Sequence, residues 1–452
     1  MQFWKLYKVP LLLTFVSLFL YWYFAYNLVR TEYTKLVVLY SFLFLIVLLL
    51  LKYANKNIKF LTLIAFLSRA IFILAIPNLS QDFYRFIWDG RMILECFNPY
   101  LYTPESFMLS GEFPVAQAKE LYAGMGQLNG SHFTNYPPIN QLCFVIAGLF
   151  SGYSISGSVI VLRLLIITAD FGTFFFGKRL LERLNIPVKN IFWFLLNPLI
   201  IIELTGNLHF EGVMIFFLVW SIYLLHLGKW KWAALIFALS ISVKLIPLLF
   251  LPLLFKYFKK GASETYDLKK LVLFYGIVGI ATLLLFAPFF SFAFVNNYAK
   301  TIGLWFQNFE FNASIYYIAR EIGYLFRGYN EIASIGKILA ILVFLFVMGL
   351  ALFRNRIDTK KLITTMLLAF TFYLFLSTTV HPWYLATLLI LNVFTNYKFP
   401  LVWSFVIILS YLSYLHLNKA DKSENLWIIA IEYSVVYAAL FWEIFIQKRI
   451  KH

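Results

Sequence analysis

The stretch Ser80-Gln81-Asp82-Phe83-Tyr84-Arg85-Phe86-Ile87-Trp88-Asp89-Gly90-Arg91, followed by Asn98-Pro99-Tyr100, holds the densest set of reactive side chains in the sequence. If 81–94 is helical, Asp82, Arg85 and Asp89 fall at i, i+3 and i+7 and share one face. Phe83, Phe86, Ile87 and Met92 take much of the remainder, so such a helix should lie along a membrane surface. A carboxylate held there can take a proton from a sugar hydroxyl, and a cationic group can hold a lipid phosphate. The same spacing describes an ordinary amphipathic helix whose Asp and Arg pair with one another. Spacing alone leaves both readings open.

Other ionisable residues stand alone in apolar surroundings. His209 and Glu211 separate two apolar runs, where they fit either a site at a helix mouth or simple helix-end capping. Lys244 lies inside an apolar stretch, at a cost of roughly 2.5–3.5 kcal/mol on insertion scales, so it should face protein, water or a ligand. Anchoring a phosphate and snorkelling to an interface are equally good accounts of it. His381, in Thr378-Thr379-Val380-His381-Pro382-Trp383-Tyr384, could stabilise charge on a departing phosphate, or serve as an interfacial residue in an aromatic belt. Arg163 and Asp170 are seven residues apart on one helix face and suit a buried structural network better than catalysis. Arg69 poses the same puzzle with no partner evident. Glu310, Asn312 and Arg320 suit substrate contact or helix capping. Asn312-Ala313-Ser314 also matches a glycosylation sequon, a pattern common by chance.

The elements that position these residues follow from composition. The chain of 452 residues is 62% hydrophobic and 13% charged, against roughly 45–50% and about 25% for soluble domains. Lipid must be its main solvent. Runs such as Leu39–Leu51 do not alternate, which excludes a β-barrel and leaves an all-α polytopic protein with about 13–14 spans. The net charge of +17 needs no nucleic acid, because Lys and Arg concentrate in short loops. These are Lys5 and Lys8; Lys52, Lys56 and Lys59; Lys256, Lys259, Lys260, Lys269 and Lys270; Arg354, Arg356, Lys360 and Lys361; and Lys448, Arg449 and Lys451. The positive-inside rule puts those loops and both termini in the cytoplasm. Cys96 and Cys143 form no metal motif and give no support for a disulfide. The first apolar stretch reads as a signal anchor.

The expected spans begin at 9–29, 34–53 and 59–77, delivering the chain outside before the long polar segment 78–135. Later spans are 271–290, 332–353, 362–379, 383–396, 400–416 and 426–446, with a second external segment at 291–330. Two threadings fit residues 137–256. In one, five pieces each cross. In the preferred one, 138–152 only dips and 231–258 crosses twice as short helices broken near Lys244 and Pro247. The preferred threading puts Lys178–Lys189 inside and Asn207, His209, Glu211 and Lys244 outside. No internal repeat is evident.

Several stretches, spread over most of the chain, resemble those of GT-C superfamily membrane glycosyltransferases. They are "SQDFYRFIWDGR…NPY" at 80–100, "NYPPINQ" at 135–141, "NLHFEG" at 207–212, "SVKLIPLLFLP" at 242–252, "FEFNASIYY" at 309–317 and "HPWYL" at 381–385. The similarity is greatest to bacterial mannosyltransferases that use polyprenyl-phosphate sugars, and more distant to the mannosyltransferase of GPI-anchor assembly. It implies an inverting hexosyl transfer, of mannose, from a polyprenyl-phosphate donor to a lipid-linked or glycan acceptor on the non-cytoplasmic face of a bacterial plasma membrane. It also implies Asp82 as catalytic base and Asp89 as a second acid that orients Arg85 or the acceptor. Arg85, Arg91, Lys244, His381, His209, Glu211, Tyr136 and Asn312 are then expected to contact donor phosphate or substrate. The Asp-x-Asp motif of the GPI relative is absent, since residue 84 is Tyr, so a divalent metal is not supported. The competing expectation is a transporter or flippase of lipid-linked sugars, which would carry its ionisable residues at the midplane between two related halves.

Overall fold

The apolar runs fold as helices, which satisfy every backbone group within the segment as a lipid environment requires. A computed structural model describes residues 2–258, 267–307, 309–353, 358–416 and 424–446. Lys259, Lys260, Arg354, Arg356 and the basic C-terminal residues of the inside loops lie outside the described residues. Among those described, the sole β-type pairing is a parallel bridge between Phe311 and Thr379.

Helix α1 (Gln2–Asn27) packs on α2 (Tyr33–Tyr53) through a tight turn. The Glu32 carboxylate accepts from the Val29 amide at 2.9 Å and pairs with Lys35. Helix α3 (Ile58–Ala70) starts on an Asn57 cap that accepts from the Phe60 amide. It stops seven residues short of the expected span end, and the chain continues in turns towards Asn78. The carbonyls of Ile73 and Ala75, released there, accept from the Arg163 guanidinium at 3.0 and 2.7 Å. The long polar segment folds as α4 (Asp82–Leu94), α5 (Pro104–Ser110) and α6 (Ala118–Gly130), and leads to α7 (Pro138–Ser151). Helix α4 lies between α6 and α7. It can approach α7 closely because residue 90 is glycine: a Cβ there would stand 2.3 Å from the Phe144 carbonyl oxygen.

Helix α8 (Ile155–Arg183) is the longest, at 29 residues, about 43 Å at 1.5 Å per residue and ample for a hydrocarbon core. The next apolar run is broken. A 3-10 turn and the short α9 (Phe192–Leu195) meet the π-helical segment Ile200–Gly206 at a bend of 61°. Helix α10 (Glu211–His226) packs on α8 and on α11 (Trp230–Ile241). After Ile241 the helix gives way to 3-10 segments at Ile246–Phe250 and Pro252–Phe258, so the expected break near Lys244 is present. The remainder comprises α12 (Leu268–Phe286), α13 (Phe292–Gln307), α14 (Ile315–Arg327), α15 (Ile332–Phe353), α16 (Thr359–Leu376), α17 (Leu385–Val393), α18 (Phe399–Val406) and α19 (Leu426–Phe441).

Among the described residues, seven helices are long and apolar enough to cross a membrane, the bent pair makes an eighth candidate, and five further apolar helices are shorter. The protein is therefore an all-α, multi-pass membrane protein. Every residue of α17 is buried, marking the centre. Phe15, Leu283 and Phe353 are each more than two-thirds exposed, which fits side chains that face lipid rather than water.

The fully buried Arg69 and Arg163 each find oxygen acceptors. Arg69 donates to Asp170 at 2.6 Å and to the Leu195 carbonyl at 2.7 Å, which supplies the partner that the sequence does not reveal. Arg163 does not pair with Asp170. It takes four carbonyls, those of Ile73, Ala75, Thr205 and Gly206, at two helix ends. Both cysteines are free thiols.

Candidate functional site

Asp82 is the first residue of α4 and its amide donates to the Ser80 hydroxyl at 3.3 Å. Its carboxylate accepts from the Asn129 side chain at 3.1 Å, at the end of α6. Burial pushes the Asp82 carboxyl above the usual carboxylate range, while Asn129, Lys244 and Arg30 pull in the opposite direction. The result is a carboxylate more basic than a free one that still sees two cations.

The segment after the bent helix pair supplies the next wall. Asn207 accepts from the Leu79 amide at 3.2 Å, tying this segment to the approach to Asp82. Glu203 accepts from Asn207 at 3.3 Å and from the Tyr411 hydroxyl at 2.6 Å, and lies 3.5 Å from His209 Nε2. Leu208 adopts φ +64°, a strained setting for a branched side chain, and this turn aims His209 and Glu211 inwards. Glu211 forms an ion pair with Lys244, which has come off the end of α11 at the helix break. Lys244 also lies 5.9 Å from the Tyr384 ring centre.

His381 closes the group. The parallel bridge holds its strand: Phe311 donates to the Thr378 carbonyl at 3.0 Å, and Val380 donates back at 2.8 Å. Trp383 lies between two imidazoles, 4.4 Å from His381 and 3.7 Å from His209, ring on ring. Burial, helped by Lys244 and Arg30, lowers the His381 imidazole to about 3, so it is neutral near pH 7 and acts through hydrogen bonds. Its Nδ1 is buried with no hydrogen-bond partner among the described residues.

The expected residues divide into two sets. Asp82, His209, Glu211, Lys244 and His381 form one electrostatically connected group, with the Tyr136 ring against Phe86 beside it. Asp89 is fully buried behind it. It pairs with Arg85 at 2.8 Å and accepts from Gln141 at 3.1 Å. Arg85 in turn donates to the carbonyls of Asn129 and His132, so it fastens the turn that carries Asn129. Arg91 reaches away, to the Ala116 carbonyl and Gln117. The Asn312 side chain donates to Glu432 at 3.1 Å and is fully buried, as a structural residue would be. Glu310 and Arg320 pair with each other at 2.6 Å.

Trp383, from the HPWYL stretch, belongs to the same group, and so do Arg30, Glu203, Tyr411 and Tyr414, which motif reading does not show. Arg30 carried a signal: it is an arginine in a short loop that the charge rule puts outside. An apolar cleft of about 320 Å³ is lined by Leu248, Leu249, Val343, Phe344, Leu376 and Thr378 among others. It starts a few residues beyond Lys244 and ends on the strand that carries His381.

A family described as alpha-(1->6)-mannopyranosyltransferase, N-terminal domain, matches residues 14–258, more than half of the chain. The protein belongs to this mannosyltransferase family. The matched region of the mannosyltransferase holds Asp82, Tyr136, His209, Glu211 and Lys244, and stops before Asn312 and His381. No curated protein matches the chain. A membrane mannosyltransferase requires a sugar donor and a glycan acceptor.

Proposed function

We propose that this is a GT-C type mannosyltransferase that moves mannose from a polyprenyl-phosphate donor to a lipid-linked or glycan acceptor at the non-cytoplasmic face. The observation that carries the proposal is the grouping of the Asp82 carboxylate, made more basic by burial, with Lys244 and two imidazoles. Asp82 takes the acceptor hydroxyl proton as that oxygen attacks the anomeric carbon. The bond from that carbon to the phosphate oxygen breaks on the opposite face, and polyprenyl phosphate leaves with the electron pair. The neutral His381 donates a hydrogen bond to the departing phosphate, and Lys244 supplies positive charge beside it. Inversion that ends in the α-linkage of the family's description requires a β-linked donor. The apolar cleft whose lining includes Leu248, four residues after Lys244, and Thr378, three before His381, offers the isoprenoid chain a lining. With Tyr at residue 84, the proposed displacement assigns no step to a metal.

The test is transfer of labelled mannose from polyprenyl-phosphate-mannose to a crude lipid acceptor extract by the reconstituted protein. Asp82→Asn is expected to lower the rate about 10²–10⁴-fold, the range for loss of a general base. Equal transfer by both proteins would remove Asp82 from the role of base. Lipid translocation with no transfer by the wild type would favour the flippase.

A further inference from the structure

We infer that Arg30, stacked on Tyr414, is the arginine that receives the phosphate of the lipid carrier, gripping it with the planar edge of its guanidinium. This rests on the donor class proposed above.

The neighbouring cations are already engaged. Arg85 is committed to Asp89 and two backbone carbonyls, and Lys244 shares its charge with Glu211. Arg30 makes no ion pair with a described carboxylate, and its Nε is buried with no hydrogen-bond partner among the described residues. Its guanidinium carbon lies 3.4 Å from the Tyr414 ring centre. Packing against the ring restrains the flat group, which also meets the Tyr414 hydroxyl, and its remaining N–H groups can bond an oxyanion.

The fold also fixes where that edge stands. Asn78 donates to the carbonyls of Phe24 and Leu28 at 2.8 and 3.2 Å, which ties the α1–α2 turn carrying Arg30 to the segment leading into α4. Arg30 is thus placed relative to Asp82, four residues after Asn78. On the other side, the Tyr414 ring lies 5.8 Å from Phe311, whose ring is 4.7 Å from His381. Arg30 and His381 therefore share one wall. Since His381 is neutral near pH 7, a leaving phosphate on that wall has Arg30 as a second positive charge beside Lys244, one that no described carboxylate pairs with.

Binding is measured on the purified full chain by thermal stabilisation with three probes: geranylgeranyl phosphate, geranylgeraniol and inorganic phosphate. Wild type is expected to prefer the phosphate lipid over the alcohol by tenfold or more. Arg30→Gln is expected to lose that preference, and Arg30→Lys to keep only part of it. An unchanged preference in Arg30→Gln overturns the inference. If that variant does not fold, an Arg30→Lys preference equal to wild type overturns it, because the argued contact is the planar fork. Arg30-dependent protection by inorganic phosphate alone overturns the lipid as its source. Mannosyl transfer is assayed in parallel. Transfer by wild type with an unchanged preference in Arg30→Gln defeats this inference and leaves the function intact. Arg30-dependent lipid binding without transfer defeats the function and leaves this inference standing.

Discussion

The basicity of Asp82 reflects opposing influences of different reach. Burial raises it, whereas the Asn129 hydrogen bond and the more distant Lys244 and Arg30 charges lower it. A base works only when deprotonated, so the acid limb of kcat/KM should fall above the ordinary carboxylate range. Asn129→Ala removes a hydrogen bond that favours the charged form, so the limb should move further up in pH while the plateau rate changes less. A pH–rate profile of the two proteins checks this, and a downward move would refute the assignment. Asp82 was singled out in the sequence by its place in a stretch that resembles the family's first external loop, since its spacing alone left it open. Arg30, Glu203 and Tyr414 were not, since each sits far in sequence from the others and only folding brings them to one wall.

Helix breaks in this protein are managed by buried ions. The end of α3 and the end of the π segment expose four carbonyls, and one guanidinium, Arg163, takes all of them. Arg69 and Asp170 form a second, separate device between α3 and α8. Removing one partner of such a pair leaves a bare buried charge, typically a loss of about 3–5 kcal/mol, while apolar replacement of both can be neutral. Asp170→Leu should therefore lower the melting temperature of the detergent-solubilised protein, and Arg69→Met with Asp170→Leu should restore most of it. A double variant no better than the single one would show that the pair does more than neutralise charge. Seven-residue spacing put Arg163 and Asp170 on one face correctly, yet each answers to a different partner. Periodicity reports the face, not which neighbour lies opposite.

At the scale of the whole molecule, the all-α multi-pass architecture followed directly from composition and from the lengths of the apolar runs. The break near Lys244 was expected from Pro247 and the charge rule, whereas the early end of 59–77 and the 61° bend between Val188–Leu195 and Ile200–Gly206 were not. The sidedness proposed from loop charges has a direct test. Cys96 is exposed and belongs to the Asp82 segment, while Cys143 is buried; Glu182 is about half exposed near the basic end of α8. A membrane-impermeant thiol reagent added outside should label Cys96 in wild type. It should not label a cysteine introduced at Glu182 in a Cys96→Ser background. External labelling at 182 would reject the preferred threading.

The two imidazoles flanking Trp383 also make that indole a built-in optical probe. Emission from a ring clasped at 3.7 and 4.4 Å by histidines depends on how tightly the sandwich is closed, and a phosphate drawn towards His381 must disturb it. The difference spectrum between wild type and Trp383→Phe isolates this indole from the other eleven of the twelve tryptophans. Its intensity should change on titration with a lipid phosphate and stay constant with the matching alcohol. Occupancy could then be followed in real time, without a label and before any sugar has moved.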